Sequence, residues 1–381
     1  MTLPVKEAAL REQDYIVEQR RWLHAHPELS CQEKETTAHI AAELEKCGVE
    51  VQTFDDITGA IGIIRGAAPG KTVMLRADID ALPITEKDDG RPYVSCNPGV
   101  MHACGHDCHA AMLLGAARIL SERRDALRGT VKLLFQMGEE KGVESRRYVE
   151  KGALEGVDAL LGLHVWSQLP SGKVNFSDGP RMACSDRFII TVSGAEDATV
   201  TAAAAVVLAL QQFAAREIPH SPFVLTVGKL NSLAGVADPP AQVEIVGTAR
   251  TFDRALRARL PQMLEQAAAG TAQVYGCTAG CEYRFGPSAV INEHAELNEL
   301  ARGAARTVME EDALVPLALQ MGGEDFAILA ENAPAVFGFL GIRNEAKGST
   351  SPHHSPDFRV DEDVLHWGAG IYAQFALDFL K

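Results

Sequence analysis

The sequence predicts an α/β fold interrupted by an inserted α+β domain of the split βαβ type. Three observations predict it. Apolar runs of strand length alternate with helical stretches up to Leu163 and again near the C-terminus. Between them the order changes to β-α-β-β-α-β. The 381 residues allow two or three domains at ~150 residues each.

The elements follow in order. Lys6 to His26 is charged, periodic and stopped by Pro27, which predicts a helix. A second helix spans Gln32 to Cys47 and ends at Gly48. Apolar runs at Ala60–Ile64, Val73–Leu75, Val131–Phe135 and Ala159–Leu163 are bounded by Gly, Asp or basic residues and fit buried strands. Helical stretches at Cys108–Arg123 and Ser145–Lys151 lie between them, so helices cover both faces of the sheet. In the middle, Arg187–Val192 alternates like a strand. The Ala-rich helix, Phe223–Val227, Gln242–Thr251, a helix over Arg254–Ala268 and a strand near Gln273–Tyr283 follow. A helix near Ala295–Met309, a strand at Ala335–Leu340 and a helix over Glu362–Leu380 close the chain. The domains are therefore 1–185 with 291–381, and 186–290. A domain inserted in another has its linkers side by side, which permits hinge motion.

Composition excludes several classes. Hydrophobic residues are 46% and charged residues 23%, so disordered, collagen-like and coiled-coil chains are ruled out. The formal net charge of −15 argues against a nucleic-acid partner. The start, Met1 to Glu7, lacks a basic stretch followed by an apolar core, so no signal peptide is expected. The longest uncharged run, Ala198 to Ala215, carries Thr199, Thr201, Gln211 and Gln212, and reads as a buried or interface helix rather than a membrane span. The 8 Cys are scattered, which favours free thiols or metal ligands and the cytoplasm.

The densest chemistry is Met101-His102-Ala103-Cys104-Gly105-His106-Asp107-Cys108-His109. A lone His would be a polar loop residue. Three His, two Cys and an Asp are hard to explain by packing, and thiolate with imidazole suits zinc or a transition metal. Asp107 is placed to cap the helix that follows. Arg76, Asp78 and Asp80 end an apolar strand, where α/β sheets bind ligands, and read as support for a site rather than a mere turn before Pro83. Glu139 and Glu140 also follow a strand; adjacent carboxylates repel unless a cation holds them. One would bind metal and the other act as general base, against the bland reading of a solvated acidic turn. His164 ends another buried strand, and His353-His354 sit between Pro352 and Pro356. Each alone would be a core or loop residue. In an open α/β sheet such strand ends can gather at one edge, where two metal ions would acidify a water and polarise a carbonyl.

These segments resemble those of the aminoacylase, hippurate hydrolase and indole-acetyl-amino-acid hydrolase family of dinuclear metallo-amidohydrolases. The text that carries the resemblance is His24-Ala25-His26-Pro27-Glu28-Leu29-Ser30, Leu75 to Pro83, His102 to Asp107, Phe135-Gln136 with Glu139-Glu140, Gly162-Leu163-His164, Gly323-Glu324-Asp325-Phe326 and His354-Ser355-Pro356. It spans nearly the whole chain in the correct order. The resemblance implies a mixed-sheet, metallopeptidase-like catalytic domain whose insert is lid and dimerisation domain. It implies metal ligands at Cys104, His106, Glu140, His164 and His354, with Glu139 as general base and Cys104 bridging two divalent ions, zinc, manganese, cobalt or nickel. Asp78, Asp80, Asp107 and His109 are candidates to hold the ligands in place or to contact the substrate. The substrate is a small amide, the assembly a homodimer, with no nucleic acid and no membrane.

The lid departs from the family pattern. The stretch that usually carries a carbonyl-polarising His reads Val192-Ser193-Gly194-Ala195-Glu196-Asp197-Ala198-Thr199, and Gly235 to Pro239 replaces an Asn-Val-Ile-Pro-like segment. Met137-Gly138 replaces the usual Pro-Ala before the two Glu. His220 and Arg250 are the candidates for a substitute donor, with a surface-loop His the bland reading of the former. Two further readings stay open: a relative hydrolysing a different C–N bond, and a metal-binding protein that has lost hydrolysis. Retention of Glu139 beside all five ligands favours an enzyme.

Overall fold

The computed structural model describes residues 3–88, 90–195, 197–232 and 241–381. The Gly235–Pro239 stretch and Glu196 lie outside the described residues. The chain divides into two compact units, Met1–Arg181 with Ile291–Ala318 and Ile328–Lys381, and Met182–Val290 with Leu319–Ala327.

The first unit opens with α1 (Val5–Arg11) and α2 (Gln13–Ala25), then α3 (Lys34–Lys46), β1 (Glu50–Gln52), β2 (Ala60–Arg65), β3 (Ala68–Asp78), α4 (His106–Ser121), β4 (Arg128–Gln136), α5 (Ser145–Glu150), β5 (Ala159–Pro170), β6 (Val174–Asn175) and β7 (Gly179–Met182). The single opening helix expected from periodicity is two, because the buried Glu12 sits between them and turns its carboxylate to Arg11 and Arg118. β5 continues beyond Leu163 because its partner strand stays paired with it as far as Pro170.

The second unit holds β8 (Asp186–Ser193), α6 (Thr199–Glu217), β9 (Phe223–Ser232), β10 (Gln242–Thr251), α7 (Arg254–Val274) and β11 (Thr278–Arg284). Its antiparallel sheet runs β11-β8-β10-β9, and the inward residues of α6 and α7, among them Val206, Leu210, Leu260 and Leu264, pack on Phe188, Ile190 and Ile245. α6 is long and apolar enough to cross a membrane by length and composition alone, but one face of it builds this core.

The first unit resumes with β12 (Val290–Asn292), α8 (Ala295–Val308), α9 (Phe326–Ala330), β13 (Ala335–Arg343) and α10 (Leu365–Phe379). Its seven-stranded sheet has the order β1-β2-β4-β3-β5-β13-β6. The pairs β3–β4, β3–β5 and β5–β13 are parallel and the outer pairs antiparallel, so the sheet is mixed. Parallel central strands are buried on both faces, which is why Val73–Leu75 and Leu133–Phe135 read as unbroken apolar runs. α4 is buried along nearly its whole length. The parallel strands bring Asp78, Gln136 and His164 to the same edge of the sheet, and the site is built there.

Candidate metal centre

Two glycines shape the site. Gly105 has φ +93°, and a Cβ there would come 2.4 Å from Val165 Cγ2. This turn starts α4 at His106 and brings Cys104 beside His164 in the middle of β5. Gly138 has φ +69° and turns the chain after β4 into the Glu139–Lys141 turn.

The ligating atoms of Cys104, His106 and His164 lie within 4.8 Å of one another, and so do those of Cys104, Glu140 and His354. Cys104 is common to both sets. His106, Glu139 and Glu140 form a third set, and Asp78, His106 and His109 a fourth. The separate segments singled out by sequence thus meet in one cluster.

Hydrogen bonds fix how the rings face it. His106 Nδ1 lies 2.9 Å from Asp80 O and 3.1 Å from Asp80 Oδ1, so it donates there and turns Nε2 inward. Asp80 Oδ2 accepts from Ser30 Oγ at 2.6 Å and from the Glu140 amide at 3.1 Å. His164 Nδ1 donates to Val165 O at 2.6 Å, leaving Nε2 3.6 Å from Cys104 Sγ. His109 Nδ1 donates to Asp78 Oδ1 at 2.5 Å, and its Nε2 accepts from the Val165 amide at 2.9 Å. Arg76 donates to Asp78 Oδ2 at 3.0 Å. The His354 amide donates to Ala103 O at 2.8 Å, and its φ of +62° turns the ring toward Glu140. His354 Nε2 is 3.3 Å from Glu140 Oε1 without hydrogen-bond alignment.

The electrostatics are strained in a way that a cation relieves. Burial opposes charge on His106, yet Asp78 and the Cys104 sulfur outweigh it and hold the imidazole well above its ordinary value. The Cys104 sulfur and the Glu140 carboxylate beside the ring raise His354 to about 10. Burial and the Glu140 carboxylate push the Cys104 thiol up. Burial, with His109 and His353 adding to it, drives His164 well below the ordinary range. Burial would raise Asp78, but His106, Arg76 and His109 hold it well below its usual value. Metal ligands bind deprotonated, so a divalent ion would displace the protons on His106, His354 and Cys104. Two buried atoms await such a partner: His106 Nε2 and Glu140 Oε1 have no hydrogen bond. Thiolate, imidazole and carboxylate together fit a transition-metal ion.

Other expected residues fall elsewhere. Asp107 is not the cap of α4; Gly105 holds that position and Asp107 lies in the first turn. Its carboxylate is taken by Arg20 Nε at 2.9 Å and His24 Nδ1 at 2.8 Å, which burial in a polar network favours over capping. His24 Nε2 in turn faces Glu86 Oε1 at 2.9 Å. Sequence reasoning missed Arg20 and Glu86, although Arg20 and His24 stand four apart on one helix face. His353 is half-buried, meets the His164 ring edge-to-face and the Trp166 ring at a tilt, and accepts from the Ser167 amide at 3.1 Å. His220 and Arg250 belong to the second unit. His220 is exposed just past α6, and Arg250 on β10 donates to Met321 O at 2.9 Å.

Fold and site define a metal-dependent hydrolase of the amidohydrolase class. The description "Peptidase family M20/M25/M40" matches residues 74–378, and the chain belongs to that family. It is 37% identical to an N-acetyl-L-cysteine deacetylase of Bacillus subtilis over 95% of this chain and 87% of that protein. It is 36% identical to the IAA-amino acid hydrolase ILR1-like 4 of Arabidopsis thaliana over 96% of this chain and 86% of the relative. Among solved structures, the Bacillus subtilis YXEP protein, a dinuclear metal binding peptidase from the M20 family, superposes with TM-score 0.86 at 34% identity, covering 97% of this chain and 98% of that one.

Proposed function

We propose that this protein hydrolyses the C–N amide bond of N-acyl amino acids or related small amides. The observation that carries the reading is the pair of donor sets sharing Cys104, with His106 Nε2 buried and unpartnered. In this reading Cys104, His106, Glu140, His164 and His354 would hold two divalent ions, zinc, manganese, cobalt or nickel. When bound, such ions acidify water and polarise a carbonyl.

The remaining steps belong to side chains. Glu139 takes the proton of the attacking water and returns it to the leaving nitrogen. Asp80 and the Val165 carbonyl hold His106 and His164 in the tautomers that face inward. Asp78, fixed by Arg76 and His109, supplies negative charge 3.6 Å from His106 Nε2, on the inward edge of the ring. Residues 186–290 serve as lid and dimerisation domain of a catalytic domain made of 1–185 and 291–381. Within that lid Arg250 and His220 are the candidate donors to the oxyanion, since no His stands between Val192 and Thr199. The second unit also dimerises, through α6, where Val200 and Leu208 are exposed on an uncharged face. All 8 Cys are free, as suits the cytoplasm.

Metal analysis with a chromogenic amide panel tests the reading. Up to two transition-metal ions per chain, lowered by His106→Ala or His354→Ala, and metal-dependent turnover are expected. Metal content unchanged in both variants removes the ligand assignment; loaded protein inert on the panel removes the activity. Light scattering at micromolar concentration reads the dimer.

A further inference from the structure

Arg181 at the end of β7 is a buried cation with no anion. It is 3% exposed, its guanidinium lies 5.1 Å over the Phe339 ring, and one NH2 donates to the Asn175 side-chain carbonyl. Its Nε is buried without a hydrogen-bond partner. The two arginines buried as deeply, Arg20 and Arg76, each meet a carboxylate, Asp107 at 2.9 Å and Asp78 at 3.0 Å. Among the described residues Arg181 meets none. The acid that acts on it from a distance, Asp178, is engaged by Asn298 and Arg302. Burial lowers the guanidinium to about 10, the mark of a charge held out of water without compensation.

Its position relates it to the metal centre. Phe339 is in register with His164 on β5 and with Asn175 on β6. Residues in register across a sheet project to the same face, so these three side chains form one row. Trp166 lies on that face too, 5.4 Å from the His164 ring and 4.9 Å from the Phe339 ring. Two strand spacings separate Asn175 from His164, ~10 Å. A group bound by Arg181 would therefore lie several bonds from a scissile amide at His164.

We propose that Arg181 is a specificity-determining residue that binds a second, distal carboxylate of the substrate, on the side chain of an acidic amino acid or at the far end of a dicarboxylic acyl group. Phe339 supports the guanidinium from one face and Asn175 orients it. The proposal rests on the amide-hydrolase reading above and narrows its substrate class to amides with an extra carboxylate.

The test uses the manganese-loaded protein and two matched pairs: N-acetylglutamate with N-acetylglutamine, and N-glutarylglycine with its terminal carboxamide. Wild type should favour the carboxylate member of one pair by at least ~10-fold in kcat/KM, the scale of a charge-assisted hydrogen bond, and mainly through KM. Arg181→Gln should erase the preference while keeping kcat on the carboxamide, and Arg181→Lys should restore part of it. Asn175→Asp places an internal carboxylate beside Arg181 and should erase it too, a variant that serves where Arg181→Gln misfolds. No preference in wild type, or a preference that survives both Arg181→Gln and Asn175→Asp, overturns the proposal. If no member of either pair turns over, the amide reading fails separately. Calorimetry with glutarate and glutaramide then decides: tighter binding of glutarate that either variant abolishes supports the anion site, and equal binding overturns it.

Discussion

Two carboxylates, Asp186 in the second unit and Glu140 in the first, are held in opposite ways. Asp186 is fully buried and saturated. Its Oδ1 accepts from Arg257 at 2.7 Å and the Gly286 amide at 2.9 Å, and its Oδ2 accepts from Arg257 Nε at 2.9 Å and the Tyr283 hydroxyl at 2.8 Å. Glu140 keeps one buried oxygen with no hydrogen bond, beside His106 Nε2 in the same condition. Both sites concentrate charge. Fixed donors neutralise the first within the chain, so it fastens β8, α7 and β11 together. The second is left open where several strand ends converge. Buried polar atoms in a protein are normally paired, so the unpaired ones mark where a ligand completes the structure.

Four substitutions or titrations sharpen this contrast. The largest effect is expected on turnover. Glu139→Gln keeps the shape of the side chain but cannot accept a proton, so kcat should fall ~10²–10⁴-fold with bound metal unchanged. Wild-type turnover in this variant would move the base elsewhere. The saturated cluster should answer in stability instead. Asp186→Ala leaves Arg257 buried without its carboxylate and should cost ~3–5 kcal/mol in denaturant unfolding, with metal content intact. A loss of metal with little loss of stability would reverse the roles assigned to the two sites.

Much of this was legible in the chain. His102 to His109 announces itself because few folds need so many ligands in one loop, and Glu139-Glu140 because adjacent acids repel. The strands were legible because parallel central strands are apolar on both faces. What stayed hidden depends on tertiary pairing. Asp107 looked like a helix cap, and only the packing of α2 on α4 supplies the Arg20 and His24 that take its carboxylate instead. Arg181 stood in no motif. Its burial and its place against the His164–Phe339–Asn175 row exist only once β13 and β6 join the sheet.

A smaller effect is expected at His102, which is buried with both ring nitrogens unbonded. Burial pushes it down from 6.5 to about 4. Above pH 6.5 neither the folded nor the unfolded chain carries this proton, so stability from this group is flat. Below it the unfolded chain protonates first, and stability falls until the folded imidazole titrates near 4. In chelator-treated protein the difference between wild type and His102→Gln should therefore change with pH by at most ~1.4 kcal/mol per unit over that window. A difference that stays constant would mean the ring has a partner in solution.

The smallest effect should come from Glu140→Gln in the chelator-treated protein. An evolved structural carboxylate such as Asp186 cannot be neutralised without stranding its donors. Glu140 strands little, because its Oε1 accepts no hydrogen bond, its nearer ion-pair contact is with His354, whose side chain is 52% exposed, and the buried His106 Nε2, 3.9 Å away, keeps Asp78 at 3.6 Å. Half-exposed ion pairs contribute ~0–1 kcal/mol. Against that loss stands relief of repulsion, since Glu140 neighbours Glu139 and its own amide is bound by the Asp80 carboxylate. The two terms nearly cancel, so unfolding free energy should shift by less than ~1 kcal/mol in either direction. With metal restored the same variant should lose a large part of the thermal stabilisation that metal gives the wild type, because binding energy becomes folding energy only where ligands exist. A Glu140→Gln protein that is strongly destabilised without metal would show Glu140 to be a structural anchor like Asp186, and the contrast between the two sites would fall.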